Sequence, residues 1–293
     1  MSVLAQFIVN GVVAGSVYAL IALGFALIFT ASRVFHFAHG GVYTVAGFAG
    51  YTVMVVLGWG LVAGFIAATV TGALLGVGIN MALYEPMRAK NVSPFVAMIS
   101  SFGVLIILSN LVAIIWGSNP TVVSQGGRSA IYNFGRIYTT GPQLQIIVVT
   151  IVLAVLLAIF FRYMRLGIAI RAMGNDSELA EVVGMPSKLL RHVSFTVGSG
   201  LVGVSAMLIG LNVGIIDFNM GFDIILMATV AMIIGGLGNV GAAAAGGFLL
   251  GVIQNVAVWK IESKWQLAIS FAILILVLLF KPSGLFGDRS SVA

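Results

Sequence analysis

From Val34 to Tyr84 the chain runs for 51 residues without a single Asp, Glu, Lys or Arg. A hydrocarbon core about 30 Å thick is crossed by a helix of roughly 20 apolar residues, so this one stretch must hold two crossings. Leu57-Gly58-Trp59-Gly60 is where it divides. A soluble domain typically carries about 25% charged residues; here 8% are charged and 60% hydrophobic. No soluble fold buries that much apolar surface, and the chain is an integral membrane protein by composition.

The remaining apolar runs follow the same measure. Phe7 to Thr30 precedes the long stretch, has no Lys or Arg before it and is too long for a signal-peptide core, so it reads as a retained helix. Pro94 to Trp116, Gln143 to Phe161 and Val193 to Gly214 are each close to one membrane thickness. Ile224 to Trp259 is awkward: 36 residues make a helix of about 54 Å, yet two full spans need about 40 residues. Two short helices are expected, broken in Gly235-Gly236-Leu237-Gly238-Asn239-Val240-Gly241, where glycine weakens the helix and permits a turn. Trp265 to Phe280 closes the series. The fold class is all-α, a polytopic transmembrane bundle of eight or nine spans, some short or broken, in one domain covering 1–293.

Glycine pairs spaced by four, Gly11/Gly15, Gly60/Gly64, Gly72/Gly76 and Gly247/Gly251, let helix backbones approach closely, and packing within the chain is their simplest use. The net charge of +6 comes from residues between apolar runs, where cations set orientation rather than bind nucleic acid. In a nine-span reading, Arg33, Arg88, Lys90, Arg162, Arg165, Arg171, Lys188, Arg191, Lys281 and Arg289 share one side, and Arg128, Arg136, Lys260 and Lys264 the other. The side with ten is cytoplasmic, which puts the N-terminus outside and the C-terminus inside. Cysteine is absent, so disulfides and thiol chemistry are excluded. No phosphate-binding loop, metal pattern or catalytic set stands out, since Gly is never followed by Lys and no Ser/His/Asp or His/Glu spacing fits.

The cytoplasmic segment 162–191 is the most informative. Asn175-Asp176-Ser177-Glu178 has the form of a capping box, with Asn175 as cap and Glu178 reaching back. A short helix of about 175–184 should place Leu179, Val182 and Val183 on one face and Glu178 and Glu181 on another, and stop at Gly184 before Pro186. Such an amphipathic turn suits a groove on a soluble partner, and equally a solvated loop or the membrane surface.

Glu178-Leu179-Ala180-Glu181-Val182-Val183-Gly184 resembles the Glu-Ala-Ala-x-x-x-Gly signature of bacterial ATP-binding-cassette importer permeases, with Leu179 in place of the first Ala. Gly15 to Gly24 and Phe37-Ala38-His39-Gly40 resemble the N-terminal signature of branched-chain amino acid permeases of the LivH type, and Gly235 to Gly247 resembles their C-terminal glycine motif. The resemblance reaches to about Gly287. It departs at His36, where these permeases commonly have Asn, which puts any hydrogen bond carried over to that position in question.

The resemblance implies a coupling helix at 175–184 seated on an ATPase. It further implies a second related permease, two cytoplasmic ATPases that hold the ATP and magnesium, and a periplasmic substrate-binding protein. The chain itself would bind no cofactor or metal, carry no catalysis, and lie in the bacterial inner membrane among its lipids. Its cargo would be leucine, isoleucine or valine. The same machinery carrying urea, short amides or other amino acids is a second reading; a stand-alone channel or secondary carrier is a third.

Interrupted hydrophobic segments point to a transport path. Two qualify: Phe35 to Gly41, with His36, Phe37, His39 and Gly40, and the stretch from Asp217 through Asn219 and Asp223 toward the Gly235, Gly236, Gly238, Gly241 break. Ionisable groups at membrane depth face a cavity or a partner, so His36 and His39 either line a hydrated path or hold the structure. Tyr18 is a further path candidate. Asp217 and Asp223 either receive substrate, cap a helix or contact a binding protein.

Overall fold

The computed structural model describes residues 2–123, 131–134 and 137–287. Helix α1 spans Ser2–Ser32 and α2 Ala38–Tyr51, which continues through a π turn at Thr52–Val56. Helix α3 is Leu61–Ile79 and passes through a second π turn, Asn80–Tyr84, into α4, Glu85–Ala89. Then come α5 (Pro94–Trp116), α6 (Gly141–Tyr163), α7 (Arg165–Asn175), α8 (Ser177–Val182), α9 (Ser187–Val213), α10 (Met220–Gly235), α11 (Val240–Val258) and α12 (Gln266–Phe280).

Every apolar run in the sequence is helical. Seven stretches among the described residues are long and apolar enough to cross a membrane, and α10 is a shorter apolar helix. Charge did not end the third span: Glu85 lies inside a helical stretch that continues to Ala89. The break at 57–60 and the glycine break after Gly235 fall where expected, and Asn239 caps α11 by accepting the Ala242 N–H at 3.0 Å. Ser93 likewise caps α5 ahead of Pro94, its hydroxyl accepting the Val96 N–H at 3.4 Å.

The sequence reading gave no strands, yet four short ones are present among the described residues. Thr121–Val122 (β1) pairs antiparallel with Ile215–Ile216 (β4), and Ile131–Phe134 (β2) with Ile137–Thr140 (β3). Of the basic residues used to orient the chain, Arg128, Arg136 and Arg289 lie outside the described residues.

The helices pack as two units. One comprises residues 24–125 and 158–225, the other 1–23, 126–157 and 226–293. In the first, α3 lies against α9 at glycine: side chains on Gly72, Gly76 and Gly203 would collide with Ser199, Phe195 and Ala68. Two apolar clusters fill its ends. Ile28, Val34, Tyr84, Ala97 and Phe195 form one; Phe48, Met54, Ala68, Val112, Met207 and Ile216 form the other. Trp116 donates its indole N–H at 2.9 Å to the hydroxyl of Thr52, which itself donates to the Phe48 carbonyl at 2.8 Å.

In the second unit α1 crosses α11 in the same way. Gly11 and Gly15 face Val252 and Phe248, while Gly247 and Gly251 face Tyr18 and Gly15. Three of the four glycine pairs therefore serve packing inside the chain. In the fourth pair Gly64 packs against Gly50, but Gly60 forms the turn between α2 and α3. Across this unit Leu285 and Phe286 donate their N–H groups to Ile234 and Gly235 at 2.7 and 2.9 Å, which satisfies the C-terminal end of α10.

Crowded glycines should not tolerate even a methyl group. Gly251→Ala, which drives Cβ into the Gly15 backbone, should destabilise by about 1–3 kcal/mol. Gly103→Ala, with nothing within 4 Å, should leave stability unchanged or slightly raised. Thermal unfolding of the detergent-purified variants, followed by size-exclusion chromatography, separates the two.

Candidate functional site

The two interrupted segments singled out in the sequence meet in space. Helix α2 starts at Ala38 and α10 at Met220, and their first turns touch at Gly40 and Gly221 so closely that neither position has room for a side chain. Thr44 accepts the Gly221 N–H at 3.1 Å and donates to the Gly40 carbonyl at 3.2 Å. One of the four orphan N–H groups of α10 is thereby satisfied inside the protein, as burial requires.

Beside this junction a row of rings faces outward. Phe37, Phe102 of α5 and Phe222 are each 6.1 Å from the next in edge-on contact. Ser101 holds the break after α1 in place: it accepts the Phe37 N–H at 3.0 Å and donates to the Phe35 carbonyl at 3.2 Å. Asp223, next to Phe222, is exposed, and so is Asn219. Asp217 is half-buried and accepts the Asn219 N–H at 2.8 Å, a turn that leads into α10. Phe102, Phe222, Ser101 and Thr44 escaped the sequence reading because each sits in an ordinary apolar helix and gains meaning only from its neighbours.

His36 and His39 are placed otherwise. Both are wholly buried, with ring centroids 5.7 Å apart. His36 pairs through Nδ1 with the Tyr84 hydroxyl at 2.8 Å and lies edge-on to Phe195. Three ring nitrogens, His36 Nε2 and both of His39, have no partner among the described residues. Where the resembling permeases commonly carry Asn, this chain thus uses the imidazole to reach the π turn of α3. Tyr18, in the other unit, donates to Gln254 Oε1 at 3.1 Å, and Gln254 donates to Ser270 at 2.8 Å and to the Gln266 carbonyl at 3.0 Å. It links α1 to α11 and α12.

The capped element expected at 175–184 forms as a helix with one correction. Asn175 is the last residue of α7 and does not cap α8; Asp176 does, accepting the Leu179 N–H at 2.9 Å. The error is one residue, because α7 continues through Asn175 and only Asp176 leaves the helical region, at φ −145°. The stop is as read. Gly184 takes φ +78°, its N–H bonds Glu181 and that of Met185 bonds Ala180, both at 3.0 Å, the paired bonds of a left-handed helix end. Ala180 is buried, while Leu179, Val182 and Val183 are 58%, 82% and 62% exposed on a six-residue helix. Glu178 and Glu181 are also exposed.

The module is tied to α9 and α4 by charge. Glu181 lies 3.7 Å from Arg191, and Glu85 pairs with Lys188 at 3.1 Å and with His192. Arg33 donates to the Gly174 carbonyl, so the end of α1 holds the end of α7. Gly235, Gly236 and Gly238 form the turn between α10 and α11, and Gly241 lies in the first turn of α11.

Loss of the cap should loosen α8 alone. Asp176→Ala costs about 1 kcal/mol, so amide exchange of residues 179–183 should accelerate roughly fivefold in hydrogen-exchange mass spectrometry. Asn175→Ala should leave it unchanged.

Comparison with known proteins agrees with this architecture. The family described as branched-chain amino acid transport system, permease component, matches residues 7–278. The high-affinity branched-chain amino acid transport system permease protein LivH of Escherichia coli K12 is 33% identical over 295 residues, covering 96% of this chain and 95% of that one. BraD of Pseudomonas aeruginosa, with the same description, is 30% identical over 294 residues, again 96% and 95%. Among solved structures, PsaBC from Streptococcus pneumoniae in complex with Fab shares the fold at a TM-score of 0.53 and 16% identity, covering 95% of this chain and 93% of that one. The chain is a multi-pass membrane protein and belongs to the permease-component family of branched-chain amino acid transport systems, a non-catalytic transport subunit of ATP-binding-cassette type.

Proposed function

We propose that this permease carries leucine, isoleucine and valine inward, forming the path together with a second related permease, and that α7 and α8 receive the stroke of a cytoplasmic ATPase. The observation that carries the reading is α8 itself. A capped helix of six residues exposes Leu179, Val182 and Val183, and Arg33, Arg88 and Arg191 crowd the same end of its unit. An exposed apolar knob on a rigid, ion-paired support suits a groove on a soluble partner. The excess of basic residues there is what a cytoplasmic face carries.

ATP and magnesium would then belong to two partner ATPases, and a periplasmic binding protein would deliver the substrate. The names of the relatives supply the cargo class. The ring face of Phe37, Phe102 and Phe222 offers an aliphatic side chain apolar contact, and the adjacent Asp223 offers an ammonium its counter-charge. Movement of α8 reaches that face through α9, whose far end joins α10 across the six residues 214–219. Rocking of α9 would shift the α2–α10 junction and alternate the side to which the path opens.

The test is uptake of labelled leucine by proteoliposomes holding the complete importer. Glu178→Lys and Gly184→Pro should each abolish ATP-dependent uptake with the protein still inserted. Proline cannot adopt φ +78°, and it lacks the N–H that bonds Glu181. Asp223→Asn should lower uptake several-fold at unchanged ATP hydrolysis. Normal uptake by both coupling variants, or uptake of labelled urea in place of leucine, would refute the reading.

A further inference from the structure

Behind α8, within one packing unit, lies a cavity of about 240 Å³. That is below the roughly 300–1,000 Å³ of pockets for drug-sized ligands and suits a molecule of amino-acid size. Its walls carry two kinds of charge. Arg33, Arg88 and Arg191 contribute three guanidiniums, and Glu178 and Glu181 two carboxylates.

The cations are incompletely matched. Arg33 is engaged with the Gly174 carbonyl, and Arg88 with the neutral Asn80 Oδ1 at 3.2 and 3.3 Å. Arg191 faces Glu181 at 3.7 Å, and its buried Nε has no partner among the described residues. Arg88 is repelled by Arg191 and attracted by Glu85. Two guanidiniums that line one space offer a carboxylate its counter-charge. Glu178 forms no ion pair among the described residues and lines the same space, which leaves a counter-charge for an ammonium. Met87, Val92 and Met173 supply apolar wall to the same space.

We propose that this cavity binds a free aliphatic α-amino acid, its carboxylate on Arg88 and Arg191, its ammonium on Glu178 and its side chain against Met87, Val92 and Met173. Because Glu178 and Glu181 belong to α8 while Arg88 and Arg191 belong to α4 and α9, the bound amino acid fastens the short helix to its support. Resting on the importer reading above, this makes the site a product sensor: amino acid accumulated inside holds the coupling element and slows further import.

The chain has no cysteine, so a single one reports on the cavity without ambiguity. In the full-length Val92→Cys variant, in nanodiscs of phosphatidylcholine and phosphatidylglycerol, leucine at about four times its dissociation constant should slow labelling by a charged methanethiosulfonate about fivefold. Met87→Cys serves if Val92→Cys fails to insert. Leucinamide, lacking the carboxylate, and 4-methylpentanoate, lacking the ammonium, should protect far less. Arg88→Gln in the same background should remove protection, and Val182→Cys, 82% exposed outside the cavity, should label at an unchanged rate.

Unchanged labelling of the cavity cysteine overturns the proposal, as does equal protection by 4-methylpentanoate. Protection that appears only when phosphatidylethanolamine is added gives the cavity to a lipid headgroup and overturns it too. Proteoliposomes of the whole importer preloaded with leucine separate the two levels. Absence of uptake with an empty lumen refutes the transport reading but not the binding site, whereas uptake that ignores preloading refutes the sensor.

Discussion

Lipid tails are as apolar as leucine, so helices inside a bilayer gain little by hiding apolar side chains from one another and are held by close packing and internal hydrogen bonds. This chain meets that constraint with glycine. Its backbones touch at Gly15 and Gly251, at Gly72 and Ser199, at Gly24 and Gly198, and at Gly40 and Gly221. At the last of these Thr44 adds a hydrogen bond to the contact. The exposed faces of α3 and α5, with Val62, Ile66 and Leu74 or Ile99, Ile106 and Ile114, are left for lipid or another subunit.

The junction at Gly40 and Gly221 is also where two helix starts meet. A helix that begins inside the membrane leaves N–H groups that must be satisfied there, and non-helical backbone at that depth is tolerated only when protein or a cavity surrounds it. Thr44 and Ser101 meet those demands at the two breaks. The ring face of Phe37, Phe102 and Phe222 lies beside them because the breaks bring it there. His36 and His39 are wholly buried, and three of their four ring nitrogens have no partner among the described residues.

At the basic end the chain is held differently, by ions. Glu85, Lys188, His192, Glu181 and Arg191 fasten α4, α8 and α9 to one another. These pairs are partly exposed, and surface pairs contribute little stability each, so their use is positional. They hold a six-residue helix, too short to persist alone, against α9.

The sequence by itself determined the membrane, the helices, their breaks and the capped segment at the basic face. Each follows from local composition: apolar runs of bilayer length, glycine turns, a short polar cap and a glycine stop. The cap shifted by one residue, from Asn175 to Asp176, because helix ends depend on where the preceding helix yields. The strands were missed although Ile131-Tyr132 and Ile137-Tyr138 carry β-forming residues, since apolar length outweighed a four-residue signal. Only tertiary structure decided that Phe35 to Gly41 meets Asp217 to Asp223, that the histidines are buried, and that arginines distant in sequence line one cavity. Those outcomes depend on which helices approach at glycine, and residues more than a hundred positions apart leave no trace of their contact in local pattern.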